Sequence, residues 1–152
     1  MNTLSKIFFI PGNVPSLKNS KIKTSKGIFP SKTVNKYLRT IGIKNYSSKN
    51  KIVNQFVGKP NMFRESLKEF PKLELNDYPI ILGFHFVRDS KRDFDFNNAT
   101  QIIQDLLVAH NFIEDDSMRF LIPTYYKIEE RYYTIDSKNP GVYLILKTNQ
   151  HE

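Results

Sequence analysis

The chain has no cysteine, no tryptophan and only three histidines among its 152 residues. Without cysteine there is no disulfide framework and no thiolate zinc site, and three histidines make a zinc centre improbable. No apolar run approaches the roughly 20 residues that a membrane-spanning helix requires. The opening Met1 to Pro11 is too short and too soon interrupted to read as a signal peptide. These absences predict a soluble, cytoplasmic protein with no membrane partner.

A further absence says more about partners. Residues 1–60 hold 12 Lys or Arg and not one Asp or Glu. Residues 61–152 hold 11 basic and 15 acidic side chains, so the formal charge of +8 arises entirely in the N-terminal part. Such one-sided charge concentrates phosphate-bearing partners and steers their approach. The bland alternative is a lysine-rich solvated face.

What is present predicts one domain with a substantial core, supplied in bulk by 12 Phe and 8 Tyr. Lys6 to Ile10 reads as a first strand, stopped by Pro11-Gly12. Asn13 to Pro30 is turn-rich and carries Lys18, Lys21, Lys23 and Lys26; it reads as a basic loop or ragged hairpin with Gly27 to Phe29 returning. Val34, Tyr37, Leu38 and Ile41 recur at helical spacing behind Ser31 as N-cap. Tyr46 to Pro60 lacks periodicity and reads as a mobile connection. A short helix through Phe63, Leu67 and Phe70 follows, closed by Pro71.

Ile80 to Val87 is the clearest strand, and its unbroken apolar opening predicts a central position. Ala99, Ile102, Ile103 and Leu106 form the apolar stripe of a helix over 98–110. Asn98 and Gln101 fall at N-cap and N3, in the manner of a capping box. Strands are expected over Met118–Lys127 and Arg131–Ile135, with a tight turn at Glu129-Glu130, and over Val142–Lys147 after Asn139-Pro140-Gly141. The order of elements predicts an α+β fold, a mixed β-sheet with helices packed on it.

The densest chemistry is Lys91-Arg92-Asp93-Phe94-Asp95-Phe96-Asn97-Asn98, followed by Asp105 and the pair Asp115-Asp116. If the helix crosses between neighbouring strands, Asp95 and Asp116 meet at one end of the sheet. Carboxylates in such a place are hard-oxygen ligands for Mg2+, with Mn2+ as a substitute. A bound ion of that kind polarises a phosphodiester and activates water. The bland alternatives are a helix cap for Asp95, Asn97 or Asn98 and a polar turn for Asp115-Asp116. An EF-hand loop fails, because Asn98 stands where Gly is needed and Gln104 where Glu is needed. A D-x-D nucleotide-sugar transferase motif matches weakly and leaves the basic third unexplained. His85 in an apolar strand and His110 at a helix C-terminus, where the dipole favours an imidazolium, read as structural.

Asp95-x-Asn97-Asn98-x-x-Gln101-x-x-x-Asp105-x-Leu107, then Asp115-Asp116, resembles the RusA family of Holliday junction resolvases. That family reads Asp-x-Asp-Asn-x-x-Lys-x-x-x-Asp-x-Leu, followed at the same distance by Asp-Asp. The opening strand with Val14-Pro15-Ser16-Leu17-Lys18-Asn19-Ser20, and the later Phe29-Pro30-Ser31, are similar to the family's start. The resemblance implies a RusA-like single domain, a homodimer, and a Mg2+-dependent endodeoxyribonuclease that resolves four-way DNA junctions in recombination and repair, typically phage- or prophage-encoded. Asp95 and Asp116 would then be metal ligands, with Asp115 and Asp105 on acidic positions of less defined role.

Two departures touch the centre of that pattern. Asn97 replaces the family's second catalytic Asp, and Gln101 replaces its catalytic Lys. An alternative registration puts Asp93 and Asp95 on the catalytic positions, and compensation would let Asp93 restore the lost carboxylate and Lys91 or Arg92 the lost cation. Lys18, Lys21, Lys23, Lys26 and Lys32 are expected on DNA phosphates, with Lys91 and Arg92. The alternative function is a junction- or single-strand-binding protein whose cleavage has been lost.

Overall fold

The computed structural model describes residues 2–16, 21–25, 27–46, 52–55 and 61–150. Nine strands and three helices appear there: β1 (Asn2–Pro11), β2 (Lys21–Thr24), β3 (Gly27–Pro30), α1 (Lys32–Thr40), β4 (Ile43–Tyr46), β5 (Ile52–Gln55), α2 (Met62–Ser66), β6 (Ile80–Arg88), α3 (Phe96–Ala109), β7 (Leu121–Tyr125), β8 (Tyr133–Ile135) and β9 (Gly141–Gln150). The main sheet has five strands in the order β1-β9-β6-β7, with β8 also on β6. β9 runs antiparallel to both β1 and β6, whereas β7 and β8 run parallel to β6. This is a single-domain α+β fold with a mixed sheet, as the order of elements predicts.

β6 is central because both its edges are paired and nearly all its side chains are buried. Phe84, Phe86 and Leu82 lie in one core with Ala99, Ile103, Leu106 and Leu107 of α3 and with Val34, Tyr37 and Leu38 of α1. Burying each such side chain contributes about 1.5–3 kcal/mol, which fixes α3 over the sheet more firmly than helix propensity could. Gly12 ends β1 with φ +109°, and a Cβ there would lie 3.2 Å from the Tyr37 ring. Glycine meets both demands at once.

Several local expectations need correction. The N-cap of α3 is Asp95, not Asn98: the Asn98 amide donates to Asp95 Oδ1 at 3.0 Å, and the helix begins at Phe96. Phe96 decides this, because a start one turn earlier lets its ring pack edge-on against Phe84 and Phe86. The stretch read as a connection contains β5, which pairs with β4 as an antiparallel ribbon; residues 47–51 and 56–60 lie outside the described set. β7 and β8 are shorter than expected and lie end to end along β6, on Ile80–Phe84 and Phe86–Arg88 respectively. Between them, Glu129 and Glu130 adopt φ of 50° and 63° in the tight turn.

Candidate nucleic-acid cleavage site

Strand β6 ends at Arg88, and the turn that follows delivers Asp95 to the first turn of α3. A carboxylate there is favoured by the partial positive charge of the helix N-terminus. Asp95 and Asn97 are exposed and Asn98 is half-buried. The Asn98 side-chain amide donates to the Ser16 carbonyl at 3.3 Å. Arg88, itself buried, donates to the Val14 carbonyl, and the Asp89 amide donates to Asn13 Oδ1 at 3.0 Å. Three contacts therefore pin residues 13–16, the start of the basic segment, against the strand end and the Asp95 turn. The Arg88 guanidinium also stacks 4.5 Å from the Phe94 ring centroid. Burial lowers its pKa from the ordinary value, with Asp89 opposing that shift. Arg88 and Asn13 escaped the sequence reading, since an Arg at a strand end and an Asn in a turn carry no distinctive spacing.

The second half of the motif arrives on the connection after α3. Ile113 is buried, and the Glu114 amide donates to the Tyr78 hydroxyl at 3.1 Å, holding the turn that carries Asp115 and Asp116. Gln101 Nε2 donates to Asp116 Oδ2 at 2.9 Å and to Asp105 Oδ1 at 2.8 Å. One neutral amide thus bridges two carboxylates, across 15 residues in the case of Asp116. Asp116 and Asp105 are half-buried, whereas Gln101 and Asp115 are exposed.

The structure brings together Gln101, Asp105 and Asp116. Asp95 lies on the same helix, six residues before Gln101 and roughly 9 Å from it along the helix axis. Among the described residues no three His, Cys, Asp or Glu gather in a way that could hold a metal ion. Asp93, Lys91 and Arg92 are exposed in the turn before the helix. The donor chemistry nonetheless fits a hard divalent ion, since Asp95 and Asp116 offer carboxylate oxygens and Asn97 an amide oxygen. A carboxylate that accepts one hydrogen bond keeps further acceptor capacity for a ligand.

On the basic side, Lys18 and Lys26 lie outside the described residues. Lys21 and Lys23 fall on β2 of the β2–β3 hairpin, where the backbone alone is described. Lys32 is exposed on α1 and shares a shallow pocket of about 410 Å3 with Lys36 and Arg39. Their i, i+4, i+7 spacing is legible in the sequence, and only Lys32 of the three was singled out there.

His85 and His110 are both buried within the fold. His85 is fully buried and bonds the Tyr126 carbonyl at 2.9 Å and the Thr134 hydroxyl at 3.3 Å. His110 is buried as the C-cap of α3, and desolvation pushes its pKa down to about 4. The imidazolium expected from the helix dipole is therefore not the form present at neutral pH. No helix among the described residues is long and apolar enough to cross a membrane. No family model and no curated protein matches this chain, so the likeness to junction resolvases rests on the residues themselves.

Proposed function

We propose that the chain is a metal-dependent, structure-specific endodeoxyribonuclease acting on branched DNA, with the four-way junction as its substrate and a symmetric dimer as its working form. The observation that carries this reading is the Gln101–Asp116 hydrogen bond. It joins the two halves of the acidic motif, at the positions where the resembled family has its catalytic Lys and the last Asp of the motif. Asp95, Asn97 and Asp116 would hold Mg2+, which when bound polarises the scissile phosphate and lowers the pKa of the attacking water. Gln101 orients the Asp116 carboxylate through its amide, as outer-shell partners of metal ligands do. Lys32, Lys36 and Arg39 neutralise phosphates on α1, and residues 13–16, pinned beside the Asp95 turn, immediately precede the lysine-rich stretch of the sequence.

The test is incubation of a labelled four-way junction with purified protein in Mg2+ or EDTA, beside Asp116→Asn. Paired symmetric nicks in Mg2+ alone, lost in the variant, are expected. A second reading, a junction-binding protein without cleavage, is favoured by one observation: both departures from the family pattern, Asn97 and Gln101, are neutral, so the site has lost an anion and a cation together. Structure-specific binding without nicks in Mg2+ or Mn2+ would decide for it.

A further inference from the structure

Asp95 is flanked by two phenylalanines that metal binding leaves unused. Phe96 stacks on Tyr125, with ring centroids 4.0 Å apart and planes tilted by 30°. Phe94 meets Tyr133 edge-on at 5.1 Å. Tyr125 in turn meets Tyr132 at 5.8 Å, and the Lys127 ammonium sits 4.9 Å from the Tyr132 ring centroid. Tyr125, Tyr132 and Tyr133 are 59%, 56% and 47% exposed, and Ile135 beside them is 44% exposed.

The register explains why these rings share one face. Tyr125 lies opposite Phe84 and Tyr133 opposite Phe86, and partners across a sheet point the same way. That is the face on which α3 packs, because Phe84 and Phe86 both meet Phe96. The helix begins at Phe96, so the outermost rings are left uncovered beyond its first turn. A single exposed tyrosine is ordinary. A contiguous group of aromatic rings with a cationic fringe, Lys127 on the Tyr132 ring and Arg131 next to Tyr132 in the chain, marks an interaction surface.

We propose that Tyr125, Tyr132 and Tyr133, backed by Phe96 and Phe94, form a stacking platform for unpaired bases of the DNA strand whose phosphate lies at Asp95. The inference rests on the DNA-cleavage reading and names what that site does with the strand beside the scissile bond. Flat rings accept any base face, while the cationic fringe suits the phosphates between them. Glu129 and Glu130 hold the turn tip, which leaves phosphate contacts to the fringe. A branch point supplies the required splayed bases.

The test measures binding of a fluorescently labelled single strand of about 12 nucleotides, within the usual range of single-strand site sizes. It compares wild type with Tyr125→Ala, Tyr132→Ala and the two Tyr→Phe variants, with an abasic strand of equal length as control. Each alanine is expected to weaken binding roughly 5- to 100-fold. The phenylalanine variants should hold within about twofold, and the abasic strand should bind wild type as weakly as the intact strand binds the alanine variants. Unchanged affinity in the alanine variants, equal affinity for the abasic strand, or no single-strand binding by wild type would overturn the platform. So would a shift in sedimentation with affinity intact, which would assign the rings to a protein contact. Junction cleavage assayed in parallel separates the two readings: nicking without base-dependent binding sinks the platform alone, and base-dependent binding without nicking sinks the nuclease alone.

Discussion

Each end of helix α3 carries one titratable side chain, and the two are held in opposite ways. Asp95 at the N-terminus is exposed and accepts one backbone hydrogen bond. His110 at the C-terminus is buried with both ring nitrogens used: Nδ1–H donates to the Leu106 carbonyl at 2.8 Å, and Nε2 accepts from Asn61 at 2.8 Å. Phe63 and Phe112 pack against its ring. The helix field favours charge at both ends by comparable amounts, up to about 2 kcal/mol. At His110 desolvation outweighs that field; at Asp95, in water, nothing opposes it. A charge-favouring helix end is open to a ligand only where solvent and spare acceptor capacity remain.

Acidification should sharpen the contrast most. The folded pKa of His110, about 4, lies below its ordinary value of 6.5, so the unfolded chain takes up the proton first. Stability is then fully present above pH 6.5 and is lost as pH falls toward 4. The loss expected from this one group is roughly 3 kcal/mol. Denaturant titrations of wild type and His110→Gln across that range check it: the variant should show a shallower pH dependence, and an unchanged slope would place the acid sensitivity elsewhere.

Restoring charge at the other end is a gain-of-function test. Asn97→Asp with Gln101→Lys replaces a neutral pair by an anion and a cation. Cleavage of a junction should rise about tenfold, since a cation facing developing phosphate charge and a charged metal ligand in place of a neutral one both lower the barrier. Initial rates in Mg2+ measure it, and a loss of activity would mean that the neutral pair is an adaptation of this site. The smallest effect belongs to the cap. Asp95→Ala should cost about 1 kcal/mol of stability and Asp95→Asn only a few tenths, because Asn caps as well as Asp.

The fold was legible where hydrophobic patterning is strong. β6, the α3 stripe and α1 behind Ser31 all follow from periodicity. It was not legible where several residues compete for one role. Asp95, Asn97 and Asn98 can each cap a helix, and only the packing of Phe96 on Phe84 and Phe86 selects Asp95. β5 was missed because Ile-Val-Asn-Gln over four residues shows no alternation that separates a strand from a loop. At the site, motif spacing singled out Gln101 and Asp116 separately, but their hydrogen bond across 15 residues was not read, and Arg88's hold on Val14 depends on a fold contact across 74 residues. The exposed tyrosine cluster was visible only as tyrosine content until the parallel register put Tyr125 and Tyr133 on one face.

The central claim is that Asp95 is a metal ligand as well as a cap, and one substitution separates those roles. Junction-cleavage rates of wild type and Asp95→Asn should be compared at saturating Mg2+, with thermal melts of both proteins. The account predicts closely matching melts and at least a roughly 100-fold loss of cleavage in the variant, the scale expected when a charged group serving the transition state is removed. Equal cleavage rates with equal melts would contradict it and leave Asp95 as a helix cap alone.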